Sequence, residues 1–432
     1  MLPPLNMDKS MNVDESLSVA AARAAITADL TRIGECETLP LQATWGRVLA
    51  VAVTAPMDVP AHDNSAMDGW ALRSADLHDQ GVSLLQVGTA LAGHPYQGLT
   101  ASGQCVRIMT GAVIPRGCDT VVMQESVQAQ GNTIRIPSGQ RAGQNVRLAG
   151  EDIARGAVAL PAGTLLRPAH LGLAASLGIT SLTVCRRPRV AVFSTGDELR
   201  SPRGTGQSLD EGAIYDSNRA VLVGMLSKLG CDIRDLGVVR DDPALLEAAL
   251  RQAADWADVV ITSGGASSGD SDHIRRLLAR LGEVRFCNIA MRPGRPMAFG
   301  ALHTADQRAC MMFALPGNPV AAAVSFAVFV RGALLHIQGA SVTEPLMLQA
   351  RARQAIGKKP GRTEYLRGII EHGQGSHEAG GEGGVHVRLT GAQGSGMLSS
   401  LCAADCLLVL HHEQCDVPQG GWVDILLLDG LM

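Results

Sequence analysis

The stretch DVVITSGGASSGDSDHIRRLLARLG, residues 258–282, places Gly264, Gly265 and Gly269, with Ser267, Ser268 and Ser271, between an apolar run and a helical one. Backbone N–H groups at the positive end of a helix suit a phosphate or another oxyanion. Asp270 and Asp272 would repel such an anion unless a cation lay between them, so the loop implies a phosphate held together with a hard divalent metal such as Mg²⁺. It fits neither the G-x-x-x-x-G-K-[ST] nor the G-x-G-x-x-G pattern, and a capped, glycine-rich turn is the alternative.

Four more segments belong beside it. TGDEL carries Asp197 and Glu198, RDDP carries Asp241 and Asp242, MRPGRP carries Arg292 and Arg295, and LPGNP carries Pro316 and Pro319. Clustered carboxylates repel unless a cation neutralises part of their charge, and the arginines are permanently charged forks suited to tetrahedral oxyanions. These loops hold no cysteine or histidine, and their serines have no visible base. The chemistry implied is metal-assisted transfer at a phosphoryl group, without a covalent nucleophile. Asp242 before Pro243 and Asn318 before Pro319 also read as helix caps.

The elements around these loops explain why they would meet. From 186 to 338 strand-like and helix-like runs alternate: RVAVFS, SNRAVLVGMLSKLG, DIRDLGVV, DPALLEAALRQAADWA, DVVIT and its helix, then MMFAL and a helix from Asn318. This predicts an α/β doubly wound parallel sheet, whose ligands bind outside the carboxyl ends of the strands. Residues 58–149 read as a small β domain (CVRIM, TVVMQE, NTIRIP). Helical runs over 16–30 and 167–178 fall in the flanking segments 15–57 and 150–185, and glycine-punctuated strands return over 339–432.

Length predicts about three domains. Charged residues are 18% of the 432 and hydrophobic ones 46%, with a net charge of −4. Without a basic run, and with 3% aromatics, nucleic acid is excluded as an expected partner. Ten scattered cysteines form no C-x-x-C pair and predict free thiols in a reducing compartment. His411, His412, Glu413 and Cys415 read as a solvated turn before Pro418 rather than a metal site. The first residues, MLPPLNMDKSMNVDES, have no apolar signal core, and Val320 to Val330 is well short of the ~20 residues of a membrane span. A cytoplasmic location is expected.

TSGGASSGDSD, MRPGRPMAFG and LPGNPVAA resemble the molybdopterin-binding domain of molybdenum-cofactor assembly proteins. With DNSAMDGWA (63–71), MTGAVIPRGCDTVVMQE (109–125), GED (150–152), STGDEL (194–199), YDSN (215–218) and GRTEYLRG (361–368), the chain is similar to the molybdopterin molybdotransferase family, which includes MoeA and the gephyrin E domain. The resemblance implies an elongated homodimer with a discontinuous helical linker unit, a β domain, a molybdopterin-binding domain and a C-terminal β-barrel. It implies that adenylated molybdopterin and molybdate react with Mg²⁺ to give molybdenum cofactor and AMP. By motif position, Asp63, Glu198, Asp242 and Asp272 would be catalytic, and Asp270, Asp272 and Glu198 would hold the metal. Ser65, Thr110, Asp197, Gly264, Gly265, Ser267, Arg292, Arg295, Pro316 and Pro319 would bind substrate, with Asp63, Ser65 and Thr110 contributed by the other subunit. A molybdopterin adenylyltransferase and molybdoenzyme-assembly proteins are the implied protein partners. An adenylyltransferase activity, or a gephyrin-like binding scaffold, is the rival reading. Arginines replace the family's usual lysines in MRPGRP, and Ala404 and Asp405 stand where it has Ala-Asn.

Overall fold

A computed structural model describes residues 16–202, 204, 208–265, 272–304, 306, 308–341, 344–372 and 384–432, of which 272–275 and 372 are described as backbone alone. The central domain is a six-stranded sheet: β1 (Arg189–Thr195), β2 (Asp232–Val239), β3 (Val259–Ser263), β4 (Gly282–Asn288), β5 (Pro296–His303) and β6 (Ala309–Leu315), in the order β2-β1-β3-β6-β5-β4. The first four in that order are parallel; β5 runs antiparallel to both neighbours. The expected parallel sheet thus ends in an antiparallel extension, because the short connection between β5 and β6 makes them a hairpin rather than a crossover.

Alternation along these strands explains the helices on both faces. Val190 and Val192 of β1, Val259 and Ile261 of β3, and Met311, Phe313 and Leu315 of β6 pack on one face against α1 (Asn218–Lys228) and the long helical run from Pro319. Ala191 and Phe193, Val260, and Cys310, Met312 and Ala314 pack on the other against α2 (Pro243–Trp256) and α3 (Asp272–Leu281), through Leu246, Leu250, Leu277 and Leu281. The run from Pro319 continues through a π-helical turn at Phe326–Val330 to Ile337, making 19 residues. It is longer than its apolar stretch suggested and passes the length and composition test for a membrane span. However, 83% of the window is buried in the protein, where it supplies the core.

Short helices at Val19–Ala28 and Pro168–Ser176 stand where helical spacing predicted them. The strands Cys36–Pro40 and Ser181–Cys185 pair antiparallel and join the two segments around the β domain. That domain is a six-stranded sheet containing Gly69–Leu72, Val82–Ala90, Gln104–Ile108 and Thr120–Met123. The C-terminal strands Met347–Ala352, Thr363–His372, Val385–Leu389, Cys406–Leu410 and Trp422–Leu427 close into a five-stranded barrel, since Thr363–His372 pairs with both Val385–Leu389 and Cys406–Leu410. Met291 and Arg292 pair in parallel with Thr363 and Glu364, stitching this barrel to the central domain.

Candidate functional site

At the carboxyl ends of β1, β3 and β6 lies a crevice of about 1290 Å³. The central domain lines it with Glu198 and Asp241, with Ser263, Gly264 and Gly265, and with Pro316 to Pro319. Arg292 and Arg295 form another wall, and the C-terminal domain contributes Gly361, Arg362 and Gln393 to Ser395.

Asn218, at the start of α1, holds these loops together. Its amide donates to Ser263 Oγ at 2.6 Å and to the Gly317 carbonyl at 2.7 Å, and the residue is 8% exposed. The lip after β3 and the LPGNP loop are therefore tied by one buried side chain. Gly264 adopts φ +96°, and a Cβ there would lie 2.4 Å from the Thr195 carbonyl oxygen, so this backbone conformation and contact require glycine. The backbone N–H of Val320 donates to the Ser395 carbonyl at 3.0 Å, docking the C-terminal loop on the helix that follows Pro319. Asn318 occupies the cap position without the expected side-chain cap bond.

The acids sort by their bonds. Asp242 Oδ1 accepts the backbone N–H groups of Ala244 and Leu245 at 2.9 and 3.0 Å, so it caps α2. Its neighbour Asp241 lines the crevice and accepts the Thr195 hydroxyl. Asp197 Oδ1 accepts the Asp241 N–H at 3.4 Å. Asp216 is 3% exposed and accepts the Arg219 Nε–H at 3.0 Å. Asp270 and Ser267 lie outside the described residues, and Asp272 is described only as the first residue of α3. Among the described residues no group of three or more His, Cys, Asp or Glu side chains is arranged to hold a metal ion. In the turn before Pro418, His411 Nε2 lies 2.7 Å from Asp424 Oδ2.

The opposite wall is basic. Buried Glu364 receives Arg362 Nε at 2.9 Å and lies 3.8 Å from Arg292, whereas Arg295 is exposed and has no carboxylate partner among the described residues. Behind them Arg367 is fully buried with no carboxylate partner among the described residues; burial first, and then the nearby Arg292 charge, push its pKa down. Its guanidinium donates to Ser400 Oγ at 3.0 Å and to the Gly394 carbonyl at 3.0 Å, bracing the crevice loop.

The two β-domain motifs run side by side. Ser65 N–H donates to the Ala112 carbonyl and Gly111 N–H to the Ser65 carbonyl. Ser65 is fully buried, and its hydroxyl donates to the Met67 carbonyl at 2.5 Å. Asp63 Oδ1 accepts the Ala149 N–H at 2.7 Å. Asp68 Oδ1 accepts both the N–H and the hydroxyl of Thr110 at 2.7 Å, and these two bonds hold its pKa below the usual carboxylate range. Asp63, Ser65 and Thr110 do not line the crevice of their own chain.

Of the residues expected at the site, Glu198, Gly264, Gly265, Arg292, Arg295, Pro316 and Pro319 share the crevice; Asp197, which accepts the Asp241 N–H, and Asp242, which caps α2, do not line it. Sequence reading missed Asp216, Asn218, Arg362 and Gln393 to Ser395 as parts of the crevice. YDSN and GRTEYLRG marked the first three, and nothing local marked the 393–395 loop.

Three sequence families match in order: the MoeA N-terminal region, domains I and II, over residues 17–178; a probable molybdopterin binding domain over 191–336; and the MoeA C-terminal region, domain IV, over 349–428. The chain is 39% identical to a molybdopterin molybdenumtransferase of Haemophilus influenzae over 95% of this chain and 98% of that protein. It is 36% identical to one of a Nostoc species over 91% and 88%. The crystal structure of a molybdopterin biosynthesis moeA protein from Pyrococcus horikoshii superposes with a TM-score of 0.81 at 27% identity, covering 96% of this chain and all of that one. Identity at this level along nearly the whole length, with every domain in the same order, shows that the chain belongs to the molybdopterin molybdenumtransferase family.

Proposed function

We propose that this enzyme inserts molybdenum from molybdate into adenylated molybdopterin, releasing AMP, in a Mg²⁺-dependent reaction. The observation that carries the reading is one crevice with opposed walls, Glu198 and Asp241 on one side and Arg292, Arg295 and Arg362 on the other. Such a site holds an anion and a cation together, as a nucleotide-linked substrate with a metal requires.

The donors fit a hard cation: Glu198 and Asp241 are exposed carboxylates facing the crevice. They would hold Mg²⁺ with Asp270 and Asp272 from the adjoining loop, and the bound ion supplies polarisation of a phosphoanhydride. The protein's own groups do the positioning. Arg295, which has no carboxylate partner among the described residues, offers its planar fork to molybdate or to the pterin phosphate, while Glu364 orients Arg362 and lies beside Arg292. Gly264 and Gly265 let the backbone approach the ligand, and the loop 393–395, docked on the Val320 N–H, forms a further wall against it. In a homodimer, the exposed Asp63 and Thr110 complete the crevice from the partner, and Ser65, fully buried, braces their loops rather than touching substrate. The enzyme works in the cytoplasm, receiving substrate from a molybdopterin adenylyltransferase and delivering product to molybdoenzyme-assembly proteins.

The test is a single turnover of the purified chain with adenylated molybdopterin, Mg²⁺ and molybdate, following AMP and bound molybdenum, with Asp272→Ala in parallel. AMP release that depends on molybdate and is lost in the variant is expected. Tight pterin binding without AMP release would overturn the catalytic reading in favour of a scaffold.

A further inference from the structure

We infer that Cys36 and Cys185 form a reversible cross-strand disulfide, an oxidation site that takes a peroxide as its oxidant and joins the two separated segments flanking the β domain. The strands Cys36–Pro40 and Ser181–Cys185 pair antiparallel with Cys36 directly opposite Cys185. The phase of the ladder then decides how close the two side chains come. Arg186 N–H donates to the Glu35 carbonyl at 2.9 Å, which makes Glu35 and Arg186 a hydrogen-bonded pair. One residue back, the Cys185 N–H points the other way, to the Val48 carbonyl at 2.8 Å. Cys36 and Cys185 are therefore a non-hydrogen-bonded pair, in which Cα atoms approach to about 4.5 Å. That falls in the ~4.4–6.8 Å range that a disulfide bridges. Two residues along the same face, the hydroxyls of Thr38 and Thr183 already meet at 3.0 Å.

The surroundings divide the labour between the two thiols. Cys36 is exposed, so it meets the oxidant first. Cys185 is half-buried, with its thiol pushed up mainly by burial and also by its neighbour Cys36, so it resolves the intermediate. The Cys36 thiolate attacks a peroxide oxygen and the O–O bond breaks, leaving a sulfenic acid and, after protonation, one water. The Cys185 sulfur then displaces the sulfenic hydroxyl, which leaves with the Cys185 proton as a second water while the S–S bond forms. Two thiols and one hydrogen peroxide give one disulfide and two waters, and a dithiol reductant reverses the change. Transient, reversible bridges of this kind suit a reducing compartment. The bond would close a loop enclosing the whole β domain. It also adjoins Arg186, which grips Asp258 at the head of β3 with bonds of 2.9 and 3.1 Å, so the staple reaches the central sheet.

The test uses the reduced full-length chain, treated with hydrogen peroxide, blocked with an alkylating agent, and digested without reductant. The expected product is a linked pair of peptides bearing Cys36 and Cys185, two hydrogens lighter than their sum and released by dithiothreitol. Cys36→Ser should abolish the linked species and leave Cys185 open to alkylation. Cys36 passing on to sulfinic acid while Cys185 stays a free thiol would overturn the inference. So would Cys36 joined to a Cys36 of a second copy or to any other cysteine.

Discussion

Adding one methyl group at Gly264 should damage the crevice, whereas the same change on the facing lip should not. In Gly264→Ala the new Cβ would sit 2.4 Å from the Thr195 carbonyl oxygen, about 1 Å inside ordinary contact, on a backbone at φ +96°. Holding a non-glycine residue in that region costs about 1–3 kcal/mol. Relieving the overlap, which involves backbone and not a flexible side chain, costs about 1–3 kcal/mol more. A total loss of roughly 2–6 kcal/mol follows, read as a lowered urea midpoint at unchanged slope. If the chain relieves the overlap by moving the loop about 1 Å, turnover should fall on the order of a hundredfold, since misplacement of that size spoils a near-attack geometry. The control is Gly317→Ala, where a Cβ meets no atom within 4 Å; it should stay within about 0.5 kcal/mol of the parent. Equal stability and turnover for the two variants would refute the claim that the Thr195 contact shapes the site.

Asn218→Ala should cost about 2–4 kcal/mol, because Ser263 Oγ and the Gly317 carbonyl lose their shared donor in a buried position, and chemical denaturation checks it. It should also raise KM, as two lips of the crevice are released from each other. Asp242→Ala should cost about 1 kcal/mol through loss of the α2 cap, with turnover within about twofold; a collapse of kcat at unchanged stability would return Asp242 to a catalytic role. The thiols of Cys105, Cys231, Cys310 and Cys406 are pushed up to about 12 by burial, against a usual 9.0. The folded chain thus keeps protons that the unfolded chain loses, and their contribution to stability is complete below pH 9 and falls as pH rises toward 12. Denaturant midpoints across that window should drop, and a thiol reagent at pH 8 should label these four only at the rate of unfolding.

The α/β domain was legible because its signals are periodic and local. Strands buried on both faces read as continuous apolar runs, helices repeat at their own spacing, and the carboxyl-edge rule then collects loops that are far apart in sequence. What stayed hidden was decided by register. Asp241 and Asp242 are adjacent and chemically identical, but Pro243 takes the first helical position and so makes Asp242 the cap, which leaves Asp241 to face the crevice. The contribution of the C-terminal barrel depends on a two-residue ladder, Met291 and Arg292 against Thr363 and Glu364, too short for any periodic signature.

That short ladder has an electrostatic consequence which bears on specificity. It brings Glu364, 6% exposed at its side chain, between Arg292 and Arg362, so part of the basic wall is already neutralised within the protein. A buried carboxylate there costs desolvation that its two cationic neighbours offset, and its hydrogen bond orients the Arg362 fork while Arg292 lies beside it. Among the described residues, Arg295 has no neighbouring carboxylate to compensate its charge. On the proposed reading the wall presents two arginine forks beside a buried carboxylate and one exposed arginine, an arrangement suited to select an anion by shape as well as by charge. Lysines in place of these arginines would keep the attraction and lose the fork geometry, so the arginine form of the MRPGRP loop and the Glu364 ladder act as one device.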